Sequence, residues 1–482
     1  MTLKARIRAI DRFIKGCRED GIYDDLNACC VMAGWDSLAG ALTPLVGAAP
    51  TNANFLDADL DRGVGLTGDG STKYLDSNRA SEEDDQDSHH LAVFQTSPQI
   101  GSPKYIAGRG IVDAGTTTLV GVSSATNKLY TRSRNSADNG GAAGLSATGL
   151  LGMSRSASDN YDVRVNSNNS NTVQDSQTPL TGNLWVFRSN NVGSGSSYDG
   201  TLSFYSIGSA TNLALLDARV STLMADLRAI EEAGFDRDAI AYIRAVEEAD
   251  GAYLETSVKV AINNLVSGLK AEGLWDAIGS SCLLCGPRTL AGALIPLRGP
   301  APTAEGGWAA GDYDRSTGMK GNGSSLYLDS NYGPENLNDA DVHLSVYMTE
   351  KYDSGTANRF ISQDNNNLTI LDSSGATGFR TRVVSSTLYT LGTSAAVPSL
   401  VAVSRSSSES FSWFGYGENG TQSDSGGAVN ESAGNPFVFK GSVGQLNYSA
   451  SRLAFYSVGS SLDLAKLDSH ISSYVTAIGA AI

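Results

Sequence analysis

The period of the apolar positions changes along the chain. Leu254, Val258, Ala261, Ile262, Leu265 and Leu269 recur at the spacing of one helix face, and Ile10, Phe13, Ile14 and Cys17 do the same near the start. Asp236 is placed to cap a helix running to about Asp250, with Ile240, Ile243 and Val246 spaced for burial, and Gly251 interrupts it before the next helix. Helices are further expected over 213–232 and 462–478, and short apolar ones at 24–33 and 276–285. Between these stretches the runs are short, β-branched and aromatic, as in His90-Leu91-Ala92-Val93-Phe94 and Val342-His343-Leu344-Ser345-Val346-Tyr347. Gly, Ser and Asn punctuate them, which marks an antiparallel sandwich or barrel.

The same sequence of elements occurs twice. Residues 59–78 (DLDRGVGLTGDGSTKYLDSN) and 312–331 (DYDRSTGMKGNGSSLYLDSN) agree at 12 of 20 positions. Gly21-Ile22-Tyr23-Asp24 matches Gly273-Leu274-Trp275-Asp276, Ser154-Arg155-Ser156 matches Ser404-Arg405-Ser406, and Trp185-Val186-Phe187 matches Phe437-Val438-Phe439. LSFYSIG at 202–208 recurs as LAFYSVG at 453–459. A repeat of this length is a tandem duplication of whole domains, each large enough for its own core. The expected division is a helical leader over 1–46, a first jelly roll with closing helix over 47–232, a stiff helical spacer and second leader over 233–298, and a second jelly roll with closing helix over 299–482.

The duplication makes each copy a control for the other: shared chemistry should survive in both. His90 and His343 correspond, whereas His89 and His470 do not. Both shared histidines open a strand run, so a half-buried, hydrogen-bonded imidazole is expected, and no GxSxG elbow accompanies either. The run Glu82-Glu83-Asp84-Asp85-Gln86-Asp87 could be mistaken for the paired acids of a glycosidase. Its counterpart around Glu335-Asn336-Leu337-Asn338-Asp339 has lost most of the charge, so a solvated loop is expected. Asp57, Asp59 and Asp61 alternate as calcium ligands can, yet Asp57 aligns with Ala310. The retained pairs Asp59/Asp61 and Asp312/Asp314 are expected to make turn hydrogen bonds and to pair with Arg62 and Arg315. Gly65, Gly68 and Gly70 match Gly318, Gly321 and Gly323; no helix or Lys-Ser/Thr follows, so they read as a tight hairpin and not as a phosphate cradle. Trp413 and Tyr416 alternate with polar residues and could form an exposed, sugar-stacking face in the second copy, where the first has Tyr161; packing is the expected role.

Composition narrows the partners. The formal net charge of −16 argues against nucleic acid, because phosphate binding needs clustered Lys and Arg. No apolar run reaches the ~18 residues that cross a bilayer. The opening MTLKARIRAIDRFIKG carries charges inside its apolar stretch and no small-residue cleavage site, so folding in the cytoplasm of the producing cell is expected. Cys17, Cys29, Cys30, Cys282 and Cys285 all lie in the leaders, and their odd count does not suit a disulfide framework. Cys282-Leu-Leu-Cys285 has metal-like spacing, but its counterpart Cys30-Val-Met-Ala33 lacks one ligand, so buried packing is expected.

Taken together, Gly68-x-Gly70-Ser71-x-x-Tyr74-Leu75, His90-Leu91-x-Val93-Phe94 and Leu202-x-Phe204-Tyr205-Ser206-Ile207-Gly208, followed by Leu216-Asp217, resemble the laminin-G and concanavalin A-like lectin and glucanase superfamily of jelly rolls. The second copy repeats each motif. The leader ADGAYLETSVKVAINNLVSGLKAEGLWDAI (249–278) resembles a repeat of tailed-bacteriophage structural proteins. Neither copy carries the Glu-x-Asp-x-Glu strand of the superfamily's glucanases, nor its calcium-lectin pattern. The resemblance therefore implies a mainly β chain of two tandem sandwiches with no catalytic, cofactor or metal residues carried over. It implies a non-enzymatic virion protein, a tail fibre, receptor-binding protein or capsid decoration. Host surface glycans, other virion proteins and further copies of itself are its expected partners. The alternatives are a cement protein joining virion subunits and a polysaccharide depolymerase.

Overall fold

The computed structural model describes residues 3–98, 103–122, 127–190, 196–338, 340–352, 359–363, 368–372, 378–424, 434–441 and 447–482. The chain is mainly β and divides into two compact units, residues 1–234 with 251–256, and residues 235–250 with 257–482. Each unit is built on two antiparallel sheets packed as a jelly-roll sandwich, with helices packed on one of them.

In the first unit one sheet runs in the order Asn168–Val173, Asn160–Val165, Gly149–Arg155, His89–Ser97, Thr201–Gly208, Leu26–Val31, Pro44–Val46. The other runs Ala142–Ala143, Lys128–Ser133, Thr117–Val122, Lys104–Arg109, Asn183–Val186, Tyr74–Ala80, Thr51–Ala53. Between them lies a core that includes Leu75, Leu91, Val93, Leu119, Leu151 and Val186. Alternate residues of the first sheet, among them Ala92, Phe94, Leu150 and Phe204, face the other way and are covered by Phe13 and Cys17 of the helix Leu3–Glu19 and by Val220, Leu223 and Leu227 of the helix Leu213–Glu231. Asn212 caps the latter, its side-chain oxygen accepting from the amides of Ala214 and Leu215.

The central strands of that sheet are thus buried on both faces. This overturns one expectation. Residues 24–33 and 276–285 are not short helices: after a single 3-10 turn they form the strands Leu26–Val31 and Ile278–Leu283. Ala28 and Cys30 enter the inter-sheet core while Cys29 and Val31 lie under the helices. A strand buried on both sides shows a continuous apolar run, which periodicity cannot tell from a buried helix.

The second unit repeats the plan. Its sheets run Pro296–Arg298, Ile278–Leu283, Arg452–Gly459, Val342–Glu350, Ser399–Arg405, Ser410–Gly415, Glu418–Ser423, and Thr303–Glu305, Tyr327–Asp329, Pro436–Val438, Arg359–Gln363, Leu368–Asp372, Phe379–Val383, Tyr389–Leu391. The helix Leu464–Ala481 packs on the first of these sheets. Asp236 caps the helix Arg237–Asp250, whose Ile243 and Val246 are buried and Ile240 half-buried. Glu247 of that helix forms a buried ion pair with Lys259 at 3.0 Å.

One buried side chain per unit staples the turn after the third long strand of the helix-covered sheet. Arg155 and Arg405 are both fully buried, and each guanidinium donates to carbonyls two and three residues ahead, those of Ala157 and Ser158 or of Ser407 and Ser408. They differ at the last contact. Arg155 donates to the main-chain oxygen of Gln174, whereas Arg405 makes a fully buried ion pair with Asp424.

With helices over one sheet, the outer face of the other carries no helix in either unit among the described residues. The central strands of that sheet are nonetheless buried on both sides, at Thr118 and Val120 in the first unit and at Arg359 in the second, so surface chemistry is confined to its half-exposed positions.

Candidate functional site

The shared histidines prove structural. His90 is fully buried, not half-buried, with Nδ1 2.6 Å from the Ser209 carbonyl and Nε2 2.6 Å from the Ser206 hydroxyl. His343 repeats this against Ser460 (2.6 Å) and Ser457 (2.8 Å). The carbonyl can only accept, so Nδ1 carries the proton and Nε2 accepts from the serine. Burial holds both rings down to about 4, neutral at physiological pH.

The acidic run is not simply a solvated loop, because Arg79 draws part of it in. Asp84 is almost wholly buried, taking hydrogen bonds from Arg79 Nε (3.2 Å) and Asn27 Nδ2 (2.9 Å). Glu83 accepts from Arg79 at 2.9 Å, and Glu82 from the Gly182 amide at 2.9 Å. In the second copy, Asp339 lies outside the described residues.

Asp59 and Asp61 close turns, but not with Arg62. Asp59 bonds Lys73 Nζ (2.6 Å) and the Leu56 amide (2.8 Å). Asp61 takes the Gly63 amide (2.8 Å), the Thr256 hydroxyl (2.7 Å) and the Thr256 amide (2.9 Å). Arg62 instead pairs with Glu231 and Asp36, and Arg315 donates to the carbonyls of Gly286 and Pro287. Asp312 bonds the Ala309 amide, and Asp314 the amides of Ser316 and Thr317. Among the described residues no group of three His, Cys, Asp or Glu is placed to hold a metal ion. All five cysteines are buried free thiols, and burial pushes Cys282 and Cys285 up to about 12. Gly65 and Gly318 are required by close approach: a Cβ would lie 2.4 Å from the Leu202 carbonyl oxygen or 2.1 Å from that of Leu453.

Trp413 and Tyr416 do not form an exposed platform. Tyr416 is buried, and Trp413 packs edge-on against Phe379 at 6.1 Å. Tyr74, Trp185 and Tyr327 are instead the partly exposed aromatics of the other sheet, whereas Phe437 beside them is buried. Leu75 and Val186 point into the core, which turns their neighbours Tyr74 and Trp185 outward. Those two rings stack at 4.2 Å with 22° between planes, and the Arg188 guanidinium lies 5.6 and 5.8 Å from their centroids. In the second unit Leu328 and Val438 point inward, Tyr327 meets Phe437 edge-on at 5.6 Å, and Tyr448 stands 6.2 Å from Tyr327. Lys440 sits 3.8 Å over Tyr327 and 5.0 Å from Phe437. Tyr74/Tyr327, Trp185/Phe437 and Arg188/Lys440 are equivalent positions of the repeat. The repeat alignment held this signal, but not which face was open.

A second feature belongs to the first unit alone. A cleft of about 570 Å³ is lined by Asp20, Asp25, Asp162, Ser154, Ser156 and the start of the helix Leu213–Glu231. Burial pushes the Asp25 carboxyl up, while hydrogen bonds from Arg219 hold Asp20 below the usual carboxylate range. Asp25 aligns with Ala277, so the second copy has no equivalent.

No family model and no curated protein matches the chain. Solved structures do. A mutant of Trypanosoma rangeli sialidase displaying trans-sialidase activity is similar over 79% of this chain and 54% of its own, at 8% identity and TM-score 0.33. The chain thus spans about half the length of that sialidase. Mouse laminin alpha1 chain domains LG4-5 are similar over 78% of this chain and 81% of theirs, at 9% identity and TM-score 0.21. The enzymatically active domain of bacteriophage CBA120 tailspike protein 2 covers 36% of this chain and 29% of its own, at 10% identity and TM-score 0.25. Laminin G, sialidase and tailspike β-sandwiches thus stand among the neighbours. The expectation that the chain is not an enzyme is corrected by them, since sialidases and an enzymatically active tailspike domain are in that set. Likenesses this remote assign no reaction, ligand or origin.

Proposed function

We propose that the chain is a surface-displayed, glycan-contacting protein of a tailed-phage particle, with saccharide lying across the open sheet face of each copy. The carrying observation is the duplicated aromatic pair with its cation, Tyr74, Trp185 and Arg188 against Tyr327, Phe437 and Lys440, on the sheet face that no described helix covers. A pyranose offers one C–H-rich face and a rim of hydroxyls, and a half-exposed aromatic ring with polar neighbours complements both. The virion setting is supported by the helical leader's resemblance to phage structural repeats. It makes other virion proteins and further copies of this chain the expected neighbours in the particle.

A second reading is favoured by the first unit's cleft. Two carboxyls whose environments move them in opposite directions are what glycosidic hydrolysis requires, with Asp25 as the proton donor and Asp20 ionised.

One experiment separates these readings. The purified chain is passed over immobilised bacterial surface polysaccharides while release of reducing ends is followed. Retention should fall at least tenfold, or about 1.4 kcal/mol, in the doubly substituted Tyr74→Ala, Trp185→Ala chain combined with Tyr327→Ala. Unchanged retention would remove the open face from the proposal. Release that Asp25→Asn abolishes, with retention intact, would establish the hydrolytic reading.

A further inference from the structure

The two copies differ in what covers their leading helix. In the second unit the helix Arg237–Asp250 lies antiparallel along the helix Thr256–Ala271. At one end the Asp236 amide donates to the Asn263 side chain (2.7 Å), and Lys270 pairs with Asp236 (2.6 Å) and with Asp238. Toward the other end Glu247 meets Lys259 at 3.0 Å, and Asp250 takes the amides of Arg288 (2.7 Å) and Thr289 (2.9 Å). Ala239, Tyr242, Ile243 and Val246 of the covering helix are buried, and so are Lys259, Val266 and Leu297 of the covered surface.

The first unit has the seat without the cover. Counting back from the matched Gly21 and Gly273 makes Ile7, Ile14 and Arg18 the equivalents of Lys259, Val266 and Lys270, and Leu45 answers to Leu297. Among the described residues no helix takes the place of Arg237–Asp250 there. Ile7 is 55% exposed, and Ile14 and Leu45 are half-exposed where their counterparts are buried. Leu3, 62% exposed, and half-exposed Ile10 extend these into one stripe at helical spacing. The helix Leu3–Glu19 already buries Ala9, Phe13 and Cys17 against the sheet, so the stripe is a second apolar face.

Charge selects the occupant. Leu3–Glu19 carries six cations and two carboxylates, whereas Arg237–Asp250 carries four carboxylates and two cations. The same helix from a second copy would bring like charge to like, while an acidic helix reproduces the pairing of the second unit. Arg18 keeps the cation that Lys270 offers to the carboxylates at the start of its partner helix. Ile7 stands where Lys259 receives Glu247, so an acid facing Ile7 would be buried without a partner.

We infer that the stripe Leu3, Ile7, Ile10 and Ile14 is the docking face for an acidic amphipathic helix of a partner protein. That helix lies antiparallel on Leu3–Glu19, as Arg237–Asp250 lies on its own seat, with its leading carboxylates at Arg18 and an apolar residue facing Ile7. The inference stands apart from the glycan-contacting reading above.

The probe is a labelled peptide of residues 235–250, stapled between its exposed positions Arg237 and Ala241 to hold it helical, made in native form and as Glu247→Leu. Each is titrated into the full chain and followed by fluorescence anisotropy. The Glu247→Leu peptide should bind about tenfold tighter than the native one, because the native glutamate meets no cation at Ile7. In the chain carrying Ile7→Lys the order should reverse, since the lysine restores the pair that Lys259 makes. Arg18→Glu should weaken both peptides. Ile7 is largely exposed, and thermal unfolding matching the parent chain confirms that the variants fold. Binding of neither peptide would overturn the proposal. An order of affinities that Ile7→Lys leaves unchanged would overturn the assignment to this face. Dimerisation of the chain in sedimentation, abolished by Ile7→Lys and not competed by either peptide, would overturn the acidic helix and give the stripe to a second copy.

Discussion

At the residue scale the two shared histidines set the chain's response to acid. Each imidazole is held at about 4 in the folded chain by burial, against 6.5 when exposed. Between those values the unfolded chain binds protons that the folded chain refuses, so stability is complete above pH 6.5, falls as pH drops toward 4, and is level below that. The loss approaches about 3 kcal/mol per histidine. Urea midpoints measured from pH 7.5 to 4 should fall along that window. His90→Gln with His343→Gln should be less stable at neutral pH and show a shallower decline; an unchanged slope would show that other groups set it. The presence of these histidines in both copies was legible in the sequence, as was their place at a strand start. Their full burial was not, because Ser206 and Ser457 stand 116 and 114 residues downstream and only the strand pairing brings them under the rings.

At the scale of elements the informative error is the strand Leu26–Val31. Its residues LNACCV are apolar but for Asn27, with no clean alternation, and only the antiparallel pairing of Cys29 with Ser206 and Cys30 with Tyr205 reveals that it continues the helix-covered sheet. The long helices were legible because each buries one stripe and leaves the other wet, as Val258, Ile262, Leu265 and Leu269 do. The consequence concerns where the first sandwich begins. A chain starting at Gly47 lacks this strand, exposes the edge of Thr201–Gly208 and uncovers Phe94, Leu150 and Phe204 through loss of the helix Leu3–Glu19. Such a chain is expected to aggregate, whereas residues 1–234 should give a soluble, cooperatively melting protein. A monodisperse, folded product from the shorter chain would show the strand to be dispensable.

At the scale of the molecule, duplication was the most legible feature and the open face the least. Repeat spacing is written in the residues. Which sheet a helix covers is decided by packing, and alternation such as FRTRV reads the same whichever side is wet. The duplication also makes one substitution diagnostic. Each unit closes its own inter-sheet core, so unfolding should proceed through two transitions and not one. Asp424→Ala strands Arg405 without its fully buried partner, a loss of about 3–5 kcal/mol confined to the second unit. In the first unit, Arg155 makes the corresponding contact with a main-chain oxygen, so Gln174→Ala leaves that acceptor in place. Calorimetry of Asp424→Ala should therefore lower one transition and leave the other unmoved, while Gln174→Ala shifts neither. A single transition that moves as a whole with Asp424→Ala would mean that the two copies, though separate in their cores, unfold as one cooperative body.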